Sequence, residues 1–102
     1  MKLASTVDLM LDKDYKERFK AEYLQLCIRL EKLESMIAKY KAGVLDFKPD
    51  CPIEVLEDQL YAMRLYKDAL VVRAHIEKID IHLTKSRIIL NEDGINVERE
   101  YV

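Results

Sequence analysis

Phe19, Tyr23, Leu26, Leu30, Leu33, Ile37 and Tyr40 follow one another at alternating steps of four and three residues. A repeat of that period keeps one stripe of an α-helix facing a partner along its whole length, so this part of the chain folds as helix on helix. Leu24, Cys27 and Ile28 lie off the stripe and add apolar surface that a single partner helix leaves uncovered. The stretch 53–83 carries two stripes. One is Ile53, Leu56, Leu60, Met63, Leu70 and Ala74, with Tyr66 close to its line; the other is Leu65, Ala69, Val72, Ile76, Ile79 and Leu83. A two-helix pair uses one of them, and the second predicts a further partner.

The expected fold is mainly all-α: a long antiparallel helical hairpin that assembles into an oligomeric bundle. At 102 residues the chain is read as one domain, 1–102. Two glycines and two prolines leave few places for a helix to break.

Residues 1–11 form a lead segment, read as a short helical turn or a strand. Helix 1 is expected over 12–42. Asp12 or Asp14 caps it, Glu17 completes a capping box, and Lys39 and Lys41 suit the negative end of the helix dipole. Gly43 stands where a C-terminal cap belongs. The loop 43–52 holds both prolines, and its Val44, Leu45 and Phe47 are expected to fold back over the hairpin end. Pro52 fits the first position of helix 2, expected over 53–83. In 84–102 the cluster Asn91-Glu92-Asp93-Gly94 between β-branched segments reads as a short β-hairpin, with a continued helix or tail as the alternative.

Charge narrows the function. Seventeen basic and nineteen acidic residues leave a net charge of −2, unlike a protein that coats duplex nucleic acid. The distribution is uneven: residues 13–41 hold eight basic and five acidic side chains, and residues 53–81 hold four and six. A local anion site on helix 1 fits this asymmetry. No segment approaches the roughly 18 apolar residues of a membrane span, and Asp8, Asp12 and Asp14 interrupt what would be the apolar core of a secretion leader. Cys27 and Cys51 show no metal-ligand spacing and are expected as reduced thiols in a cytoplasmic protein.

Catalysis is not expected. His75 and His82 are seven residues apart, too few and too far apart for a helical metal site. Ser5, Ser35 and Ser86 sit in no nucleophile motif, and no glycine-rich phosphate loop is present. The carboxylates alternate with lysines at helix spacing, as solvated faces do. No cofactor or metal is implied. The segment DYKERFKAEYLQLCIRLEK is the strongest binding candidate: Tyr15, Phe19 and Tyr23 lie one turn apart each, while Lys13, Lys16 and Lys20 form a parallel basic stripe beside Arg18. Aromatic rings stack on bases, and cations neutralise phosphates. Arg29 and Arg73 are secondary candidates. The same residues also serve a plain reading, with aromatics in the seam, lysines in water and Arg18 paired to Glu22. The loop Phe47-Lys48-Pro49-Asp50-Cys51-Pro52 reads either as a recognition loop or as a cap on the hairpin end.

The pattern FKAEYxQL…R…KL, a short loop ending in CP, and LxxQLxxMxxY…L…RA resembles a family of small proteins of tailed phages and prophages, related to a protein of a crAss-like phage. The matching positions are Phe19 to Leu26, Arg29, Lys32, Leu33, Cys51, Pro52, Leu56, Gln59, Leu60, Met63, Tyr66, Leu70, Arg73 and Ala74, within residues 14–81. The resemblance implies a phage accessory protein acting in the cytoplasm of an infected bacterium. In architecture and context it is similar to the phage sponges that blunt CBASS and Thoeris defence by binding cyclic oligonucleotides or cyclic ADP-ribose isomers between subunits. That likeness transfers no binding residue. The expected function is sequestration of a cyclic nucleotide-type immune signal by a homo-oligomer, with Tyr15, Arg18, Phe19, Lys20, Tyr23, Arg29 and Arg73 as ligand-binding residues and no membrane or duplex nucleic acid as partner. The alternative is a non-catalytic adaptor whose surplus stripe binds a protein helix.

Overall fold

The structure, a computed structural model, describes residues 1–81. A 3₁₀ turn, Leu3–Thr6, leads into the short helix α1, Val7–Met10. Two long helices follow, α2 over Tyr15–Lys41 and α3 over Ile53–Glu77. The described residues contain no strand. The proposed β-hairpin, His82 and Leu83 lie outside them.

The antiparallel arrangement can be read from the contacts between α2 and α3. Lys41 pairs with Glu57 next to the loop, Glu34 with Arg64 further along, Glu22 with Tyr66 beyond that, and Phe19 with Arg73 at the far end. Numbers fall along one helix as they rise along the other, as in a closed hairpin.

Both ends of α2 are capped by local chemistry. The Asp14 carboxylate accepts a hydrogen bond from the Lys16 N–H at 2.9 Å, satisfying a donor the first turn leaves open. Glu17 does not complete a capping box; its carboxylate binds Lys20 instead. At the other end Gly43 takes φ +75°, and Val44 N–H reaches the Lys39 carbonyl while Gly43 N–H reaches that of Tyr40, both at 3.0 Å. This is the Schellman arrangement expected of a glycine at that position. Pro52 lies one residue outside α3 rather than at its first helical position, and its carbonyl accepts the first helical bonds from Val55 and Leu56.

Helix α3 ends at Glu77 and does not run on through residue 83. Lys78 turns left-handed at φ 58°, and Ile79 N–H bonds the Ala74 carbonyl at 2.9 Å. The turn throws Ile79 and Ile81 back onto the hairpin, where both are buried. A residue that would have continued the outer stripe of a longer helix thus becomes core.

The core has two parts. At the open end Phe19, Tyr23, Leu24, Leu26, Cys27, Leu70, Ala74, Ile79 and Ile81 pack together, with Leu9 against them. Toward the loop Leu30, Ile37 and Leu60 form a smaller group flanked by Leu33, Ile53 and Leu56. Met63 touches both. The surplus of α2 is therefore met within the chain: Leu24 and Cys27 pack with Leu9 from the lead segment and with Ile79 and Ile81 from beyond α3. Thr6 anchors the lead segment, fully buried, donating to the Leu3 carbonyl and accepting from the Gln25 amide, each at 2.7 Å. Of the three residues expected to cover the loop end, Val44 and Phe47 stay exposed and Leu45 is half-buried. Neither Cys27 nor Cys51 is in a disulfide.

Candidate functional site

The seven candidate binding residues do not converge on one pocket. Phe19 and Tyr23 are buried in the seam. Lys20 is half-buried and held by Glu17 at 2.9 Å. Arg18 turns back on the chain before its own helix, donating to the carbonyls of Asp12 and Lys13 at 2.7 and 2.8 Å, and not to Glu22. It acts there as a brace for the turn into α2. Arg29 is exposed and makes no ion pair with a described residue.

Three of the seven do come together. The Arg73 guanidinium lies 4.8 Å from the centroid of the Phe19 ring, across the two helices. Its Nε donates to Glu77, one turn further along α3, at 2.9 Å. Tyr15 reaches the same spot from the first turn of α2, close enough to favour the charged forms of both Arg73 and Glu77. Tyr66, one heptad before Arg73, hydrogen-bonds Glu22. By helical spacing Tyr66 and Arg73 share one flank of α3, and Arg18, Glu22 and Arg29 share one side of α2. The result is an open surface with rings at its floor and edge, a guanidinium at its centre and carboxylates around it.

The titration behaviour follows from that geometry. The Glu77 carboxyl is held below the ordinary carboxylate range, chiefly by the hydrogen bond from Arg73, against a smaller desolvation cost and with help from Arg73's charge and from nearby Tyr15 and Lys16. Arg73 is raised above its ordinary value, first by the same bond to Glu77, with the charges of Glu77 and Glu22 adding to it. Both groups stay ionised near neutral pH. An anion that binds Arg73 therefore has to compete with Glu77.

Two clefts lie on the other flank of the hairpin. One, of about 460 Å³, is lined by Glu34, Ile37, Ala38, Lys41, Glu57, Leu60 and Arg64. The other, of about 330 Å³, is lined by Cys27, Leu30, Glu31, Glu34, Arg64, Lys67 and Asp68. Arg64 and Glu34, an ion pair, border both. Neither cleft holds any of the seven candidates. Among the described residues no group of three or more His, Cys, Asp or Glu could hold a metal ion, and no helix is long and apolar enough to cross a membrane.

Sequence reasoning missed Tyr66 and Glu77 as part of this cluster. The signal was there: Glu77 stands four residues after Arg73, and Tyr66 seven before it, so all three share one side of a helix.

Fold and surface together define a small helical-hairpin protein with an open aromatic–arginine cluster on one flank and, among the described residues, an exposed apolar stripe on α3. Residues 13–76 match the Sequestin family, and the chain belongs to that family. The match starts just before the Asp14 cap and ends within the last turn of α3, so it covers the hairpin and leaves out the lead segment and the residues after Ile76. No curated protein and no solved structure matches the chain.

Proposed function

We propose that this protein sequesters a cyclic nucleotide-type signal, binding it between subunits without turning it over, as a phage anti-defence sponge in the cytoplasm of an infected bacterium. The name of its family speaks of sequestration. The observation that carries the chemical side is the stack of Arg73 on Phe19, with Tyr15 and Tyr66 beside it. A nucleotide needs a cation for phosphate and flat apolar surface for the base, and this flank offers both. On one copy it is an open surface. A second copy set against the neighbouring α3 stripe gives it a wall, which shuts out water and strengthens each charge interaction.

In binding, a phosphate replaces the Glu77 carboxylate as the partner of Arg73. Arg29 and the lysines of α2 add long-range attraction. Tyr23 and Phe19 serve as the packed floor, and Arg18 holds the entry turn in place. Holding a signal lowers its free concentration in proportion to the number of copies, so no reaction is required.

Calorimetry with cyclic dinucleotides, cyclic oligonucleotides and cyclic ADP-ribose isomers tests this. Binding tighter than about 10 µM to one of them, weakened by Arg73→Ala, is expected. Absence of such binding across the panel ends the proposal.

A second reading draws on the exposed Leu65, Val72 and Ile76 of α3. An uncovered apolar stripe suits a protein helix, and an adaptor would recover one host or phage protein while ignoring nucleotides.

A further inference from the structure

The stripe on α3 has an internal symmetry that names its occupant. Leu65, Ala69, Val72 and Ile76 step by four, three and four residues, all on the side turned away from α2. Leu65 is 52% exposed, Val72 57% and Ile76 69%, high values for aliphatic side chains in the middle of a long helix. Ala69 is exposed with them. No charged residue interrupts this set. On one flank stand Asp68 and His75, and on the other Tyr66 and Arg73.

We propose that α3 pairs antiparallel with α3 of a second copy about a two-fold axis level with Leu70 and Val71. In that register Leu65 lies opposite Ile76 of the partner subunit, and Ala69 lies opposite Val72 of the partner subunit. Small faces large in the central layers, which lets the helices approach closely. The flanks match as well. Asp68 comes beside His75 of the partner subunit on one edge, and Arg73 comes beside Tyr66 of the partner subunit on the other. Every pairing occurs twice, as an isologous interface requires. Opposed helix dipoles favour the same direction. A parallel pairing would instead bring Asp68 against Arg73 of the partner subunit, setting it in competition with Glu77.

The consequence for the site rests on the function proposed above. Two Arg73 guanidinium groups and two Tyr66 rings gather along one edge of the dimer, so each copy completes the nucleotide surface of the other.

The test is sedimentation of the full chain, with cysteine cross-linking to set the register. The wild-type chain is expected to be a dimer at about 100 µM, whereas Val72→Glu and Ile76→Glu sediment as single copies with unchanged helical circular dichroism. Asp68→Lys is expected to weaken the dimer at least about tenfold, and adding His75→Asp restores it. A mixture of Ala69→Cys and Val72→Cys chains is expected to cross-link faster than either chain alone. A wild-type chain that stays a single copy overturns the proposal, including the case in which residues 82–102 occupy the stripe. Ala69→Cys chains that link fastest to themselves overturn it too, since that marks parallel pairing. A dimer of the expected register that binds no nucleotide supports the pairing and sinks the sequestration reading alone. A single copy that binds nucleotide overturns the pairing and binding between subunits, and leaves standing only that the chain takes up a nucleotide.

Discussion

Arg73 and Phe19 are 54 residues apart in sequence, yet the guanidinium of one lies 4.8 Å from the ring centroid of the other. Arg73 is half-exposed and Phe19 buried, so the ring supplies a fixed floor and the cation keeps access to solvent. The stacking is a modest tie between the two helices.

The ion pair of Arg73 with Glu77 gives a pH signature. Because the folded state holds the Glu77 carboxyl below its ordinary value, its contribution to stability is present above the unfolded carboxylate value and is lost as pH falls through the lowered one. Carbon-detected NMR titration should place the Glu77 midpoint below those of exposed glutamates. Arg73→Gln is expected to bring it back up; an unmoved midpoint would show that Arg73 is not the cause.

Glu77 also sets the accessibility of Arg73 to anions. Replacing it by Gln removes the competing charge and keeps the side chain's size. Glu77→Gln is expected to tighten nucleotide binding about threefold or more, with a weaker dependence on pH below neutrality. Looser binding in calorimetry would mean that Glu77 orders Arg73 for the ligand rather than competing with it.

Lys78 holds the left-handed position that ends α3, where a β-carbon is unfavourable. Lys78→Gly relieves that cost, offset in part by the greater freedom of glycine in the unfolded chain. Stabilisation on the order of 0.5–1 kcal/mol is expected, read as a rise of several degrees in Tm. A fall in Tm would indicate that the lysine side chain contributes more than its backbone costs.

The lead segment hangs on Thr6. Thr6→Val keeps the shape and removes both hydrogen bonds, leaving the Leu3 carbonyl and the Gln25 amide without that partner. A loss of about 1–3 kcal/mol is expected in urea unfolding. Asp14→Ala, which removes the cap of α2, is expected to cost roughly 0.5–2 kcal/mol by the same measurement. If Thr6→Val cost nothing, the lead segment would contribute nothing to the stability of the folded hairpin.

The seam of α2 and the inner stripe of α3 were legible because burial imposes a period that composition cannot hide. Gly43 was legible as a cap for a related reason, since one residue type suits that backbone angle best. The end of α3 was not: a lysine takes the left-handed position, and nothing in the local sequence distinguishes Lys78 from a helical residue. Missing that turn also misplaced Ile79, which the outer stripe would have claimed and the core receives. Leu24 and Cys27 looked like a surface awaiting another subunit because the lead segment's docking depends on Thr6 and Gln25, a contact without periodicity. The binding candidates were chosen by type along one helix, whereas the cluster that forms spans two. Tyr15, Phe19 and Arg73 meet there; Arg18 and Lys20 are spent on local bonds.

The two halves of the core are unequal, and that inequality sets where the molecule gives way. Nine buried side chains lock the end that carries Phe19 and Arg73, while three hold the end next to the loop. Thermal opening is therefore expected to begin next to the loop. Amide exchange should be fastest near the loop and slowest around Leu24 and Leu70. The aromatic–arginine cluster sits on the better-packed half, so under the proposed function a ligand landing there would find its contacts already fixed.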